Sequence, residues 1–208
     1  MDERLRQAAE AAPGFMPPDE GLALFEAGMT VPAGAPLLEI GSYCGKSAIY
    51  LGAAARSRGT VLYSIDHHGG SEEHQPGEEY HDASLVDEAT GAVDTLPEFR
   101  RTISAAGLDD IMVPIVARSE VVAAGWATPL SFLFVDGGHS QDAADVDYRC
   151  WVPHVRPGGL LAIHDVFEDP SEGGRPPYVI YRRAVESGAF SDVSRTGSLR
   201  VLERIAVG

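Results

Sequence analysis

The chain has 208 residues, 44% of them hydrophobic, which is enough for one domain with a continuous core and too few for two comfortable ones. Its 31 acidic residues against 16 basic ones give a formal charge of −15, so its surface repels nucleic-acid phosphates and anionic lipid, and a DNA, RNA or membrane target is disfavoured. Cys44 and Cys150 make neither a disulfide framework nor a metal knuckle, the start lacks a signal-peptide apolar region, and no apolar run nears the roughly 20 residues of a membrane span, so a cytoplasmic setting is expected.

Residues 2–12 and 18–28 read as short helices separated by Pro13-Gly14 and Pro17-Pro18. They make a unit over 1–30 that suits a lid or a homodimer contact, ahead of one domain over 31–208. The first strand, about 36–40, carries Leu37-Leu38-Glu39-Ile40 into the turn Gly41-Ser42-Tyr43-Cys44-Gly45-Lys46-Ser47 and a helix over 45–57. Glycines there let backbone approach a ligand, and the helix start offers unpaired N–H groups, so the turn is a nucleotide-sized site.

Three ligand classes compete for that turn. A phosphate-binding P-loop needs four residues between its glycines, whereas Gly41 and Gly45 enclose three, so Gly45-Lys46-Ser47 only imitates the end of that motif. In a dinucleotide fingerprint Tyr43 would occupy the place of the middle glycine, where a pyrophosphate needs clear backbone. The third pattern, E-x-G-x-x-x-G, matches Glu39, Gly41 and Gly45 as they stand. An acidic residue before the turn suits a ligand with an amino group and a sulfonium charge, and repels a phosphate.

Further along, Thr60 to Ile65 is a buried strand ending at Asp66, residues 67–78 form a polar loop, and helices are expected over 80–89 and 92–106. Ile111 to Val116 gives a third strand, which Pro114 demotes toward a sheet edge. A short helix over 119–125 leads to a strand over 131–135 ending at Asp136; a helix over 140–152 and the turn Pro157-Gly158-Gly159 lead to a strand over 160–163 ending at His164-Asp165. A helix over 177–187 and strands over 190–195 and 198–204 close the chain. This alternation predicts an α/β fold: a seven-stranded, mostly parallel sheet with helices on both faces and one antiparallel strand, since no helix separates the last two.

Ligands of such sheets bind at the carboxyl ends of the strands. Glu39, Asp66, Asp136, His164 and Asp165 all fall there. Asp66, 25 residues beyond Gly41, is placed to take both hydroxyls of an adenosine ribose, or else to cap a helix. Ser119 suits an adenine contact or the cap of the helix beginning at Glu120. Asp136 and Asp165, with His139 and His164 alongside, project toward one space, where two carboxylates plus a substrate diol would suit Mg²⁺ and a histidine could accept a hydroxyl proton. Taken singly, Asp136 and Asp165 are as readily loop caps, and the two histidines as readily satisfy local hydrogen bonds. The loop from His67 to Asp82 is dense in titratable groups and follows Asp66 directly, so it reads as a polar lid for a hydroxyl-rich substrate; its four histidines lack the spacing of a zinc site.

Together these motifs resemble the class I S-adenosylmethionine (SAM) methyltransferases with metal-assisted O-methyl transfer. They are most similar to the macrolide-sugar enzymes (the macrocin and mycinamicin type), and on the loop and chain length to actinobacterial 1-O-methyltransferases of methylmannose oligosaccharides. The general resemblance covers about residues 35–205. It implies a Rossmann-like fold in which SAM contacts Glu39, Gly41, Ser42, Tyr43, Gly45, Ser47, Asp66, His67, Ser119 and Asp136. It also implies Mg²⁺ on Asp136 and Asp165, and His139 as the base on the sugar hydroxyl. Where the macrolide-sugar enzymes usually carry a carboxylate before the second metal-binding aspartate, this chain has His164, which leaves that residue as a metal ligand, a second base or a substrate contact, and shifts preference toward a softer ion such as Mn²⁺. A catechol-type acceptor, an NAD-dependent oxidoreductase and a binding module without chemistry are the competing readings.

Overall fold

The computed structural model describes residues 1–78, 80–138 and 140–205. Two helices, α1 (Glu3–Ala11) and α2 (Pro18–Thr30), precede β1 (Leu37–Ile40), α3 (Lys46–Ser57) and β2 (Leu62–Asp66). Then come α4 (Leu96–Ala106), β3 (Met112–Val116), α5 (Ser119–Ala123), β4 (Leu130–Val135) and α6 (Gln141–Trp151). The chain ends on β5 (Val155–Ile163), α7 (Pro176–Glu186), β6 (Phe190–Thr196) and β7 (Leu199–Arg204).

The strands form one seven-stranded sheet in the order β3-β2-β1-β4-β5-β7-β6. Pairs from β3 through β5 are parallel, and β7 alone runs against its neighbours β5 and β6. β3, the strand holding Pro114, lies at the edge, where its missing N–H leaves no gap in an interior ladder. The order reverses between β1 and β4, so the segments leaving those two strands diverge and open a crevice at their carboxyl ends.

Side chains alternate across the sheet with period two. Leu37, Phe132, Phe134, Leu160 and Ala162 pack into the layer that contains Leu5 and Ala9 of α1, Leu24 of α2, Ile49 and Leu51 of α3, and Phe99 of α4. Leu38, Ile40, Leu133, Val135, Leu161 and Ile163 pack against Trp151 of α6 and Ile180 and Ala184 of α7. Each large side chain removed from water in these layers contributes roughly 1.5–3 kcal/mol. The same alternation turns Glu39, in phase with Leu37, toward α3. The N-terminal helices share the first layer's core, and α3 is buried along Ser47–Ala55 between them and the sheet. α2 reaches α3 closely because of two glycines on one helix face: a Cβ on Gly21 would overlap the Tyr50 ring, and one on Gly28 would lie 2.8 Å from the Ala54 Cβ.

Three expectations change. In place of a helix over 80–89 there is a single 3₁₀ turn, Ala83–Leu85, and a bridge between Val86 and Val93. Asp82 and Asp87 take the N–H groups of Ser84, Ala89 and Thr90 with their own side chains, competing with helical bonding. The helix expected from 92 begins at Leu96, because Val93 is drawn into that bridge and Asp94 accepts from Leu96 N–H. The fifth strand begins at Val155, so Pro157-Gly158-Gly159 is a kink inside β5, with a register shift against β4, and not a turn before it. Among the described residues no helix is long and apolar enough to cross a membrane.

Candidate active site

The turn after β1 is held by two acidic residues from below and from the side. Gly41 has φ +84°, Tyr43 +46° and Gly45 +92°, so the chain folds tightly back before α3 begins. A Cβ on Gly41 would overlap the backbone oxygen of Asp136. The Glu39 carboxylate is completely buried and accepts from Ser47 Oγ (3.0 Å) and Ser64 Oγ (2.6 Å), its partner across the β1–β2 register. Burial is the main cause that pushes it up to about 8, with the charges of Asp136 and Asp66 adding to it against the two serine bonds. In this structure its carboxylate is thus engaged from inside the protein, where it fixes the turn and the start of α3. Ser47 is its partner in that task, so it too is turned inward.

Asp66 also serves the turn. Its Oδ2 accepts from the backbone N–H of Ser42 (2.8 Å) and Tyr43 (2.9 Å), and Oδ1 from His68 N–H (2.7 Å). It is neither a helix cap nor an isolated group, and it keeps the strand-end position expected of a ribose contact. Lys46 Nζ points to the Gly14 carbonyl (3.3 Å), away from the turn, in agreement with the rejected P-loop reading.

A second cluster faces this turn across the crevice. Asp136 continues β4, its N–H donating to Ile40 O (2.9 Å), and His164 continues β5 through a bond from its N–H to Val135 O (3.2 Å). His164 Nδ1 lies 3.2 Å from Asp136 Oδ1 and 3.4 Å from Asp165 Oδ1. One ligand atom from each of Asp136, His164 and Asp165 falls within 4.8 Å of the others, and among the described residues this is the one such cluster. Asp165 adopts φ +55°, an uncommon backbone state for a non-glycine residue and one that turns its carboxylate back toward His164. The aspartates keep a fifth to a third of their side-chain surface open, while the imidazole is almost wholly covered.

Behind His164 stands a residue that no sequence spacing identified. Glu20, on α2 and 5% exposed, brings Oε2 to 2.7 Å from His164 Nε2, an ion contact bent away from a linear hydrogen bond. Burial works against a charged imidazole here, but the Asp136 charge and the contacts to Asp136, Asp165 and Glu20 outweigh it and push His164 up to about 12. Three carboxylates thus converge on one imidazole. Nδ1 and one oxygen of each aspartate are the donor atoms that this cluster offers to a cation.

The remaining expected residues are dispersed. His139 lies outside the described residues. Ser119 is the first residue of α5, not its cap, and its hydroxyl donates to Asp147 of α6, a buried carboxyl that desolvation pushes up to about 6. His67 is exposed, with Nδ1 accepting from Gly69 N–H (3.0 Å). Among the loop histidines, His68 is buried against Thr95 Oγ1 (2.7 Å), His74 meets Ser71, and His81 meets the His74 carbonyl, so they do not gather around a common point. The loop is also less polar in use than in composition. Tyr43 stacks on His74 (4.9 Å between centroids), and Phe15, from the link between α1 and α2, packs on Tyr43 (5.7 Å) and Tyr80 (5.2 Å). A glycine spacing of seven on α2 was the available signal that this helix lies close enough to deliver Glu20; nothing local marked Asp147 or Phe15.

Solved structures with this fold include the O-methyltransferase TomG from Streptomyces achromogenes, involved in tomaymycin synthesis and bound to SAM: TM-score 0.64, 18% identity, 99% of this chain and 91% of that one covered. A Bacillus cereus O-methyltransferase with S-adenosylhomocysteine (SAH) gives 0.61 at 18% identity, covering 98% and 92%. The SAH-bound Podospora anserina methyltransferase PaMTH1 gives 0.66 at 11%, covering 99% and 89%. At these identities the likeness establishes a shared Rossmann-like fold. The family profile described as "Methyltransferase domain" matches residues 38–166, from β1 through the Asp136 and His164-Asp165 strand ends. This chain belongs to that methyltransferase family.

Proposed function

We propose that the protein is a SAM-dependent O-methyltransferase that methylates a hydroxyl of a sugar or oligosaccharide with the help of a divalent cation. The observation that carries this reading is the contact between the Gly41 turn and Asp136: the backbone suited to the methyl donor and the carboxylates suited to the acceptor meet at one crevice. The family match supports methyl transfer, and relatives of the same fold named as O-methyltransferases support oxygen as the acceptor atom.

In this mechanism the turn Gly41–Gly45, braced by Glu39 and Asp66, binds the methionine end of SAM, and the Asp66 strand end receives its ribose. Asp136, Asp165 and His164 Nδ1 would hold the cation, a donor set of two oxygens and one nitrogen that suits Mn²⁺ as well as Mg²⁺. When bound, that cation lowers the pKa of a coordinated hydroxyl. His139 takes the hydroxyl proton as the oxygen attacks the sulfonium methyl; the C–S bond breaks, its electron pair stays on sulfur, and SAH leaves. Alignment of the oxygen behind the methyl group supplies much of the rate.

A second reading, a catechol or natural-product acceptor, is favoured by one observation: Phe15, Tyr43 and Tyr80 provide an aromatic wall beside the turn. Incubation with methyl-labelled SAM, Mg²⁺ or Mn²⁺, and panels of oligosaccharides and catechols separates the two by product. Methylation that ignores a chelator would remove the cation from the mechanism, and NAD binding in place of SAM would remove methyl transfer altogether.

A further inference from the structure

Glu20 lies outside the matched family segment, yet its carboxylate is the group behind His164. Its Oε1 accepts from Ser198 N–H (2.8 Å) and its Oε2 from Ser198 Oγ (3.0 Å). Gly197, with φ +50°, has no room for a side chain, because a Cβ would overlap Glu20 Oε1. Ser198 O in turn accepts from Val166 N–H (3.0 Å), immediately after His164-Asp165. The carboxylate is therefore clamped by the β6–β7 turn, and that turn also fixes the strand end it serves. Such fixing is more than helix docking needs, since α2 already reaches α3 through Gly21 and Gly28.

From this we infer that Glu20 is a positioning residue for the cation site: its carboxylate, 2.7 Å from His164 Nε2, favours the proton on that nitrogen, holds the imidazole's orientation and leaves Nδ1 aimed between Asp136 and Asp165. A carboxylate behind a ligating histidine raises ligand basicity and holds the ring. The inference rests on the cation reading above. It also makes α2, from the N-terminal pair, part of the catalytic unit.

The test is Mn²⁺ binding to the SAM-free protein, read from the electron paramagnetic resonance signal of free Mn²⁺, for wild type, Glu20→Gln and Glu20→Asp, with thermal unfolding measured in parallel. Both variants should weaken Mn²⁺ about tenfold or more, the usual scale for loss of a partner behind a metal-ligating histidine. Glu20→Asp separates position from charge, because it keeps the negative charge and withdraws it by one methylene. Wild-type affinity in Glu20→Asp alongside a weakened Glu20→Gln would overturn positioning in favour of plain electrostatics. Wild-type affinity in both, whatever happens to unfolding temperature, would leave Glu20 with helix docking alone. A wild-type protein that binds no Mn²⁺ would overturn the cation reading itself. If Glu20→Gln does not fold, Glu20→Asp is read with the same weakened-or-unchanged criterion.

Discussion

No side chain fits on Gly41, because the backbone oxygen of Asp136 occupies the place where its Cβ would stand. The two residues leave β1 and β4 on either side of the point where strand order reverses, and the close approach joins the turn to the carboxylate cluster. Gly41→Ala must push β1 and β4 apart at their ends and also adopt φ +84°. The expected outcome is a destabilisation of about 2 kcal/mol or more and loss of SAM binding, measured by urea unfolding and calorimetric titration. Near-wild-type SAM affinity in this variant would mean that the turn is not the donor site.

Glu39 sets a pH dependence of stability. An unfolded glutamate titrates near 4.5, whereas burial holds this one up to about 8, so between those values the folded chain keeps a proton that the unfolded chain has released. Its contribution to stability is full below pH 4.5 and is lost as pH rises to about 8. Glu39→Gln keeps the shape and cannot titrate, so it should lack this component, a difference of order 2–4 kcal/mol across the window. Asp147, pushed up to about 6, contributes its own slope at lower pH, which makes the interval from 6 to 8 the diagnostic one. Parallel urea-midpoint curves for the two proteins over that interval would contradict the assignment.

Asp165→Asn tests the cation site without disturbing the backbone, since asparagine tolerates the left-handed conformation that Asp165 adopts. SAM affinity and folding should persist while methyl transfer falls at least about 100-fold, the scale of losing metal-assisted charge stabilisation. His139→Ala should likewise retain SAM binding and lose about 100-fold in turnover if it is the base. Turnover unchanged in His139→Ala, with Asp165→Asn inactive, would transfer the base role to another group.

Much of this was readable in the chain because it depends on local order. Apolar runs that stop at Glu39, Asp66, Asp136 and His164-Asp165 announce strand ends, Pro114 marks the edge, and the missing helix before β7 marks the reversed strand. What escaped depends on distant packing or on competition within a loop. Glu20 and Ser198 are 178 residues apart and meet only because α2 docks on α3. The helix expected over 80–89 failed where Asp82 and Asp87 captured backbone N–H groups, an outcome that apolar periodicity does not register. Glu39 and Asp66 sit at the expected positions, but their carboxylates are directed at the protein's own turn, which spacing alone does not reveal.

Phe15 is the contact that ties the loop after β2 to the N-terminal pair of helices. It is 60% exposed, yet its ring meets Tyr43, His74 and Tyr80 at centroid distances of 5.7, 6.0 and 5.2 Å. Aromatic pairs of this kind contribute about 0.5–1.5 kcal/mol each, and little else is lost when an exposed ring is removed. Phe15→Ala should therefore open the loop locally: amide exchange over 71–78 should accelerate about tenfold, corresponding to about 1.4 kcal/mol, while the core of α3 keeps its protection. Phe15→Tyr retains the ring and should leave exchange unchanged. If Phe15→Ala exchanges like wild type over those residues, the loop is held by its own Ser71, Gln75 and His81 hydrogen bonds and the aromatic contacts are incidental.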